Sequence, residues 1–160
     1  MTGKQKITTF LWFDGNAEEA VNFYISIFKD SRIVSEQRLP GAEAAKGKLM
    51  GATFQLEGQE FMALNAGPQY KFSEAISLFV SCETQAEVDD LWAKLTADGG
   101  QESRCGWLKD RFGLSWQIIP KALGQMLWDK DPARAKRVMD AMLKMNKIDI
   151  EGLRKAYEGR

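Results

Sequence analysis

The chain contains no histidine, and this absence limits its chemistry more than any residue it contains. Imidazole is the commonest general base and a frequent ligand of zinc, nickel, copper and iron. Ser-His-Asp and Cys-His mechanisms are therefore excluded, together with every metal site that contains histidine. A carboxylate-only site for magnesium or calcium stays compatible with the composition.

The two cysteines, Cys82 and Cys105, are the next candidates for chemistry. They lack Cys-x-x-Cys spacing and are too few for a disulfide framework, so we expect free thiols. Cys105 lies near Lys109 and Arg111 in the sequence, and nearby cations favour the reactive thiolate. Because no histidine is present as a base, we expect a small packed residue rather than a nucleophile.

A charged turn, Lys109-Asp110-Arg111, has two interpretations. It could bind an anionic substrate at the mouth of a pocket. The commoner alternative is a solvated turn with a local ion pair that contributes less than about 1 kcal/mol. Over the whole chain, 22 basic residues balance 22 acidic ones, so the net charge does not favour nucleic acid or an anionic membrane.

The elements that must position these residues occur as a repeated pattern. Asn16 and Thr84 are each followed three positions later by a glutamate, Glu19 and Glu87, which is the capping-box spacing at a helix start. Both helices follow a strand-like run. The pattern predicts two modules, each with one strand, one helix and three further strands. The predicted elements are strand 7–13, helix 17–28, strands 32–39, 49–56 and 60–64, then strand 76–80, helix 85–97 and strands 101–105, 107–109 and 114–119.

The rest of the chain reads as helical, with a loop at 40–46 inside the first module. Asp131-Pro132 has the form of a helix cap followed by proline at the first helical position. A stripe of methionine and leucine follows it, and we expect this stripe to pack inside the tail. The alternative is a surface shared with a partner subunit.

Two segments, 10–24 and 105–120, resemble the PhnB-like, demethylubiquinone-methyltransferase-like branch of the glyoxalase/bleomycin-resistance (vicinal oxygen chelate) superfamily. The first reads Phe-Leu-Trp-Phe-Asp-Gly-Asn-Ala-Glu-Glu-Ala-Val-Asn-Phe-Tyr. The resemblance implies an α+β fold in which two βαβββ modules form an open mixed-sheet barrel with a cavity, followed by a C-terminal helical extension. The implied domains are 1–120, with modules at 7–64 and 75–120, and the extension 121–160. It also implies a homodimer.

In metal-using relatives, the first and last strand of each module supply the ligands. The resemblance places these positions at Thr9, Ser77 and Gln117, and near Ala63 or Asn65. Hydroxyls and an amide are poor ligands for a divalent metal, because affinity needs anionic or imidazole donors. We therefore expect no metal and no cofactor.

The same resemblance predicts which side chains line the cavity, because residues two apart share a strand face. The predicted cavity residues are Thr9, Leu11, Phe13, Asn65, Ser77, Phe79, Cys105, Ser115 and Gln117. By the same alternation the side chains of Trp12 and Trp116 point away from the cavity, so we expect them to pack against a helix or to lie at a subunit interface. Small barrels are often packed solid, so a barrel without a pocket is the alternative.

The leading functional hypothesis is a metal-free homodimer that binds a small, largely apolar molecule and makes no contact with nucleic acid or membrane. The polar N-terminus and the lack of a long apolar run predict a cytoplasmic location. One alternative is an enzyme of the same fold, a lyase, isomerase, dioxygenase or the methyltransferase of the branch name, with Glu60 as a base or a weakly held metal. No Gly-x-Gly-x-x-Gly run supports a nucleotide-like cofactor. A structural dimer without a ligand is the third hypothesis.

Overall fold

A computed structural model describes residues 5–40 and 47–160 of the chain. The chain divides into two compact units, one ending at Lys71 and the other running from Phe72 to Arg160. The loop expected at 40–46 lies outside the described residues beyond its first position. No described helix is both long and apolar enough to cross a bilayer.

In its described residues, unit one has a four-stranded sheet and one helix. Its elements are β1 (Thr9–Phe13), α1 (Ala17–Ile27), β2 (Arg32–Arg38), β3 (Leu49–Leu56) and β4 (Gln59–Asn65). The strand order is β1-β4-β3-β2, with β1 parallel to β4 and the other neighbours antiparallel. The predicted antiparallel return after the turn at Glu57-Gly58 is confirmed. Glu57 and Gly58 both have positive φ, at 47° and 81°, as a tight two-residue turn requires.

Helix α1 buries Ala17, Ala20, Val21 and Tyr24 against this sheet. The Tyr24 ring stacks on Phe54 of β3 with the ring centroids 6.5 Å apart, and Phe54 stacks on Phe61 of β4 with a centroid distance of 5.5 Å. The spacing of these helix residues at intervals of three and four produces one apolar stripe. The core of unit one therefore lies between α1 and one face of its sheet.

The start of α1 is capped differently from the prediction. Asn16 occupies the N-cap position but makes no side-chain capping hydrogen bond. Instead, Oδ1 of Asn65, at the end of β4, accepts a 2.9 Å hydrogen bond from the backbone N–H of Ala17. Spacing along the sequence could not reveal this cap, because its acceptor is 48 residues away.

Unit two repeats the arrangement. Its elements are β5 (Ser77–Cys82), α2 (Gln85–Thr96), β6 (Gln101–Glu102), β7 (Trp107–Lys109) and β8 (Ser115–Pro120). The strand order is β5-β8-β7-β6, and β5 is parallel to β8. Here the predicted cap is present: Oγ1 of Thr84 accepts from the N–H of Glu87. The Glu87 carboxylate reaches back as in a capping box, but it accepts from the N–H of Glu83, one residue before the cap.

Three helices complete unit two: α3 (Lys121–Leu127), α4 (Pro132–Met142) and α5 (Ile150–Glu158). Asp131 caps α4 through the N–H of Ala133, as its position before Pro132 predicts. The helices pack around a small apolar core. This core consists of Leu123, Val138, Ile148 and Leu153, with Ile119, Met126, Leu127, Ala141, Met142, Met145 and Tyr157 against it. The stripe predicted after Pro132 consists of Val138, Met139, Met142, Leu143 and Met145. Val138, Met142 and Met145 pack in this core, whereas Met139 and Leu143 are 42% and 51% exposed.

The fold is therefore α+β, with two βαβββ units and a helical C-terminal part, as predicted. In the described residues each unit has its own sheet, and neither sheet closes into a barrel. The predicted strand 101–105 is shorter than expected, since it ends at Glu102. The physical reason is a turn at Cys105-Gly106, where both residues have positive φ, 58° and 84°.

Candidate functional site

The two faces of the unit two sheet differ in what covers them. The indole N–H of Trp92 on α2 donates a 2.7 Å hydrogen bond to Glu102, which is paired across the sheet with Leu108. Leu108 is paired in turn with Trp116, and both are buried. Helix α2 therefore covers the face that carries Leu108 and Trp116. We call the opposite face of this sheet the distal face of unit two.

The distal face carries two rows of side chains that cross three neighbouring strands. Strand pairing places Ser77 beside Ser115 and Ser115 beside Lys109. It also places Phe79 beside Gln117 and Gln117 beside Trp107. Four of the predicted site residues, Ser77, Phe79, Ser115 and Gln117, thus share one face, which is the face expected for them. Trp116 lies on the α2 side, also as expected.

Two predicted ligand positions contact each other directly. Nε2 of Gln117 donates a hydrogen bond to Oγ of Ser77 at 2.9 Å. Both groups are neutral, so the pair offers hydroxyl and amide dipoles rather than charge. Phe79, next to Gln117, keeps 59% of its surface exposed. The result is an apolar surface with a few fixed polar groups, which is the usual composition of a small-molecule site.

Ser115 differs from its neighbours because it is 1% exposed and its Oγ has no hydrogen-bond partner among the described residues. Its neighbour Lys109 forms an ion pair with Glu74, whose side chain is 62% exposed. The Lys109 hydrogen bond, aided by a backbone hydrogen bond and the ammonium charge, holds the pKa of Glu74 below its ordinary value. The distal face therefore combines a buried hydroxyl that lacks a partner with one cationic side chain.

Sequence reasoning treated Asp110 as part of a charged turn, and its role in the structure is different. Asp110 is 2% exposed, and its Oδ1 accepts hydrogen bonds from the N–H groups of Phe112 and Leu114. Its Oδ2 accepts a 2.9 Å hydrogen bond from the indole of Trp116. The carboxylate thus fixes the β7–β8 turn and, with it, the register of the two rows. Only its burial, which the sequence does not show, distinguishes it from a solvated aspartate.

In unit one the faces are the reverse of those expected. Thr9 pairs with Phe61, and Leu11 pairs with Ala63. Because Phe61 belongs to the core under α1, Thr9, Leu11 and Phe13 also lie on the α1 side, where Leu11 and Phe13 are buried. The reason is that β1 has four consecutive apolar residues at 10–13, so alternation alone could not decide which face is buried.

The opposite face of β1 carries Phe10 and Trp12. Trp12 was expected to pack against a helix or to lie at a subunit interface. It does not pack against a helix: its indole N–H donates to the carbonyl of Gly67 at 2.9 Å, and its ring meets Tyr70 edge-on with the ring centroids 5.0 Å apart. Phe10 is paired with Met62, and both are exposed. We call this face, away from α1, the distal face of unit one.

Two further predicted site residues have mainly structural contacts. Asn65 caps α1, as described, and its Nδ2 donates to the carbonyl of Leu49 at 3.0 Å. Cys105 lies in the turn before β7, where its N–H donates to the carbonyl of Met145 at 2.8 Å. It has no place in either row of the distal face. Cys82 is buried, and desolvation, with a smaller effect of the Glu87 charge, raises the pKa of its thiol to about 12.

In unit two, the residues at the implied ligand positions do not fit a divalent metal. No group of three or more histidine, cysteine, aspartate or glutamate side chains is arranged to hold an ion in the part of the chain that the structure describes. At Ser77 and Gln117, where the resemblance places ligands, the donors are a neutral hydroxyl and an amide. Such donors bind divalent ions weakly in water.

The family model described as 3-demethylubiquinone-9 3-methyltransferase matches residues 5–119. The chain belongs to this family. The match covers both sheets and ends within β8, so it includes every residue of the two rows. A comparison with curated proteins found no match.

Solved structures agree with the family. The PhnB protein from Bacillus cereus is 42% identical, with a TM-score of 0.66, over 72% of this chain and 99% of its own. Protein PA1353 from Pseudomonas aeruginosa is 23% identical, with a TM-score of 0.58, over 73% of this chain and 98% of its own, and supports the fold alone. The family model and the Bacillus cereus structure together confirm the PhnB-like assignment made from the sequence.

Proposed function

We propose that this chain binds a small, largely apolar molecule without a metal ion, and that the distal face of unit two is the binding surface. The observation that carries the proposal is the hydrogen bond between Gln117 and Ser77, which joins two neutral groups at the positions where metal-using relatives have ligands. Exposed Phe79 and half-buried Trp107 flank this pair. An apolar ligand would cover these rings and exchange hydrogen bonds with the pair.

Binding of this kind needs neither a general base nor a metal, which suits a chain without histidine. Glu60, the base considered for an enzyme of this fold, is the second residue of β4 in unit one and is paired with Gln55. No described feature sets it apart as a base. Methyl transfer, which the family description names, is not favoured by a specific residue of this chain either.

A fragment screen tests this proposal. The chain is treated with a chelator, and a library of neutral apolar aromatic and aliphatic compounds is screened by thermal shift, with hits measured by calorimetry. We expect Gln117→Leu to weaken the hits about fivefold, since a neutral hydrogen bond is worth about 1 kcal/mol. The matched control is Gln125→Leu, at an exposed position of α3, which should leave the affinity for the hits unchanged.

Three results of the screen would contradict this proposal. A screen without any hit would favour a structural dimer that has no ligand. Binding that appears only after a metal is added would favour an enzyme of the same fold. If Gln117→Leu and Gln125→Leu weaken the binding of the hits equally, the binding surface lies elsewhere.

We also propose that the chain forms a homodimer. Support comes from the distal face of unit one, where Phe10 and Met62 are 55% and 39% exposed and lie side by side. Neighbouring exposed apolar side chains on a sheet face are typical of interaction surfaces. Sedimentation analysis should give a dimer for the native chain and a monomer for Phe10→Asp, while Ile7→Asp, outside the strand, serves as the control.

A further inference from the structure

The two rows on the distal face of unit two differ in chemistry. One row, Ser77–Ser115–Lys109, contains two hydroxyls and an ammonium group. The other, Phe79–Gln117–Trp107, contains an amide between two aromatic rings. The rows are two residues apart along β8, which corresponds to about 7 Å. A ligand that covers both rows therefore meets a polar, cationic side and an aromatic side.

The polar row contains a hydroxyl group that lacks a partner. Oγ of Ser115 is buried and makes no hydrogen bond within the described residues. Buried hydroxyls in native structures are nearly always paired with protein, water or ligand. A hydroxyl can donate to an oxyanion, so Ser115 offers one hydrogen bond to an acidic group in this row once the side chains that now cover it move aside.

Lys109 provides the positive charge of the row. Its present partner, Glu74, is exposed, and exposed ion pairs contribute little net stability. Lys109 can therefore exchange Glu74 for another anion at small cost. The adjacent Asp110 does not compete, because its carboxylate is committed to Phe112, Leu114 and Trp116.

We propose that the ligand class of this face is an aromatic carboxylate. Its ring system lies over Gln117 between Phe79 and Trp107, and its carboxylate meets Lys109 and the hydroxyls of Ser115 and Ser77. A fused two-ring acid spans the separation of the rows. This inference rests on the proposed function and adds the charge and planarity of the ligand to it.

The test compares two probes that differ only in charge, 2-naphthoate and 2-naphthamide. Both are titrated into the full-length chain at neutral pH and low salt, by calorimetry and by NMR. We expect the carboxylate to bind at least about tenfold more tightly, as expected for a charge-assisted hydrogen bond. The amide signals of Ser77, Phe79, Trp107 and Gln117 should shift.

Variants then assign the preference to its residues. Lys109→Met should abolish the preference for naphthoate over naphthamide. Lys94→Met, which removes another exposed lysine in an ion pair, should change neither affinity. Ser115→Ala should weaken naphthoate severalfold, and Glu74→Gln should strengthen it because Lys109 loses a competing partner.

The failure of this inference is distinguishable from the failure of the proposed function. If the two probes bind equally, or if Lys109→Met keeps the preference, the aromatic carboxylate is wrong while binding on the face stands. If neither probe binds but neutral apolar fragments do, the inference is again overturned alone. If inorganic phosphate shifts Ser115 and Lys109 as strongly as naphthoate does, the aromatic part is wrong. If nothing binds at all, both proposals fall.

Discussion

Gln117 and Ser77 are joined by a 2.9 Å hydrogen bond that connects the last strand of unit two to its first strand. The sequence resemblance aligns these two residues with ligand positions of metal-using relatives, and here they contact each other. The pair therefore has a measurable energy of its own, independent of any ligand.

A double-mutant cycle measures this energy. We expect Ser77→Ala and Gln117→Leu to be coupled by about 1 kcal/mol in the free energy of unfolding, because the second change costs little once the hydrogen bond is lost. Urea denaturation of the two single variants and the double variant gives the value. Ser77→Ala combined with Gln125→Leu provides the additive control. A coupling near zero in the first cycle would contradict the contact.

Asn65 is predicted to stabilise unit one through its two hydrogen bonds, one to the start of α1 and one to Leu49. Asn65→Ala removes a helix cap and leaves both backbone groups unpaired, so we expect a loss of about 1–3 kcal/mol. The exposed Asn22→Ala on α1 should change stability by less than about 0.5 kcal/mol. Chemical denaturation compares them, and equal effects would exclude the capping role.

The Lys109–Glu74 pair predicts a specific pH dependence. The pKa of Glu74 is lowered in the folded chain, first by the Lys109 hydrogen bond. Its contribution to stability is thus complete above the pKa of an unfolded glutamate and is lost as the pH falls through the lowered folded pKa. NMR titration of the carboxyl group should show the pKa of Glu74 rising toward its ordinary value in Lys109→Met but not in Lys94→Met. An unchanged pKa in Lys109→Met would disprove the pairing.

The two thiols should differ in reactivity. Burial raises the pKa of Cys82 to about 12, so almost no thiolate exists at pH 8. We expect iodoacetamide to label Cys105, which is half-buried, and to reach Cys82 only when the chain unfolds. Mass spectrometry after labelling with and without urea reads out the difference. Rapid labelling of Cys82 in the folded chain would show that its environment is open.

The sequence was sufficient for most of the fold, because each module has its own periodic signals. The Thr84–Glu87 cap, the turn at Glu57-Gly58 and the Asp131-Pro132 helix start are all local patterns, and all three are observed. The cap of α1 was missed since its acceptor, Asn65, is distant in sequence. Local patterns cannot show such long-range contacts.

The strand face of the predicted site residues followed from the sequence in unit two and not in unit one, for a physical reason. In β8 polar and apolar residues alternate around Gln117, so its face follows from the pattern. In β1 both faces are apolar, and the face of Thr9, Leu11 and Phe13 depends on where α1 packs. The burial of Asp110 and of the Ser115 hydroxyl likewise arises only in the folded chain.

The most direct test of metal-free binding on the distal face is an NMR titration of the chelator-treated chain with 2-naphthoate or the best neutral fragment. The account predicts saturable shifts of the Ser77, Phe79, Trp107 and Gln117 signals, with elemental analysis finding far less than one metal ion per chain. Shifts that appear only after zinc, nickel, manganese or magnesium is bound stoichiometrically would contradict it. Shifts confined to unit one would contradict the proposed surface.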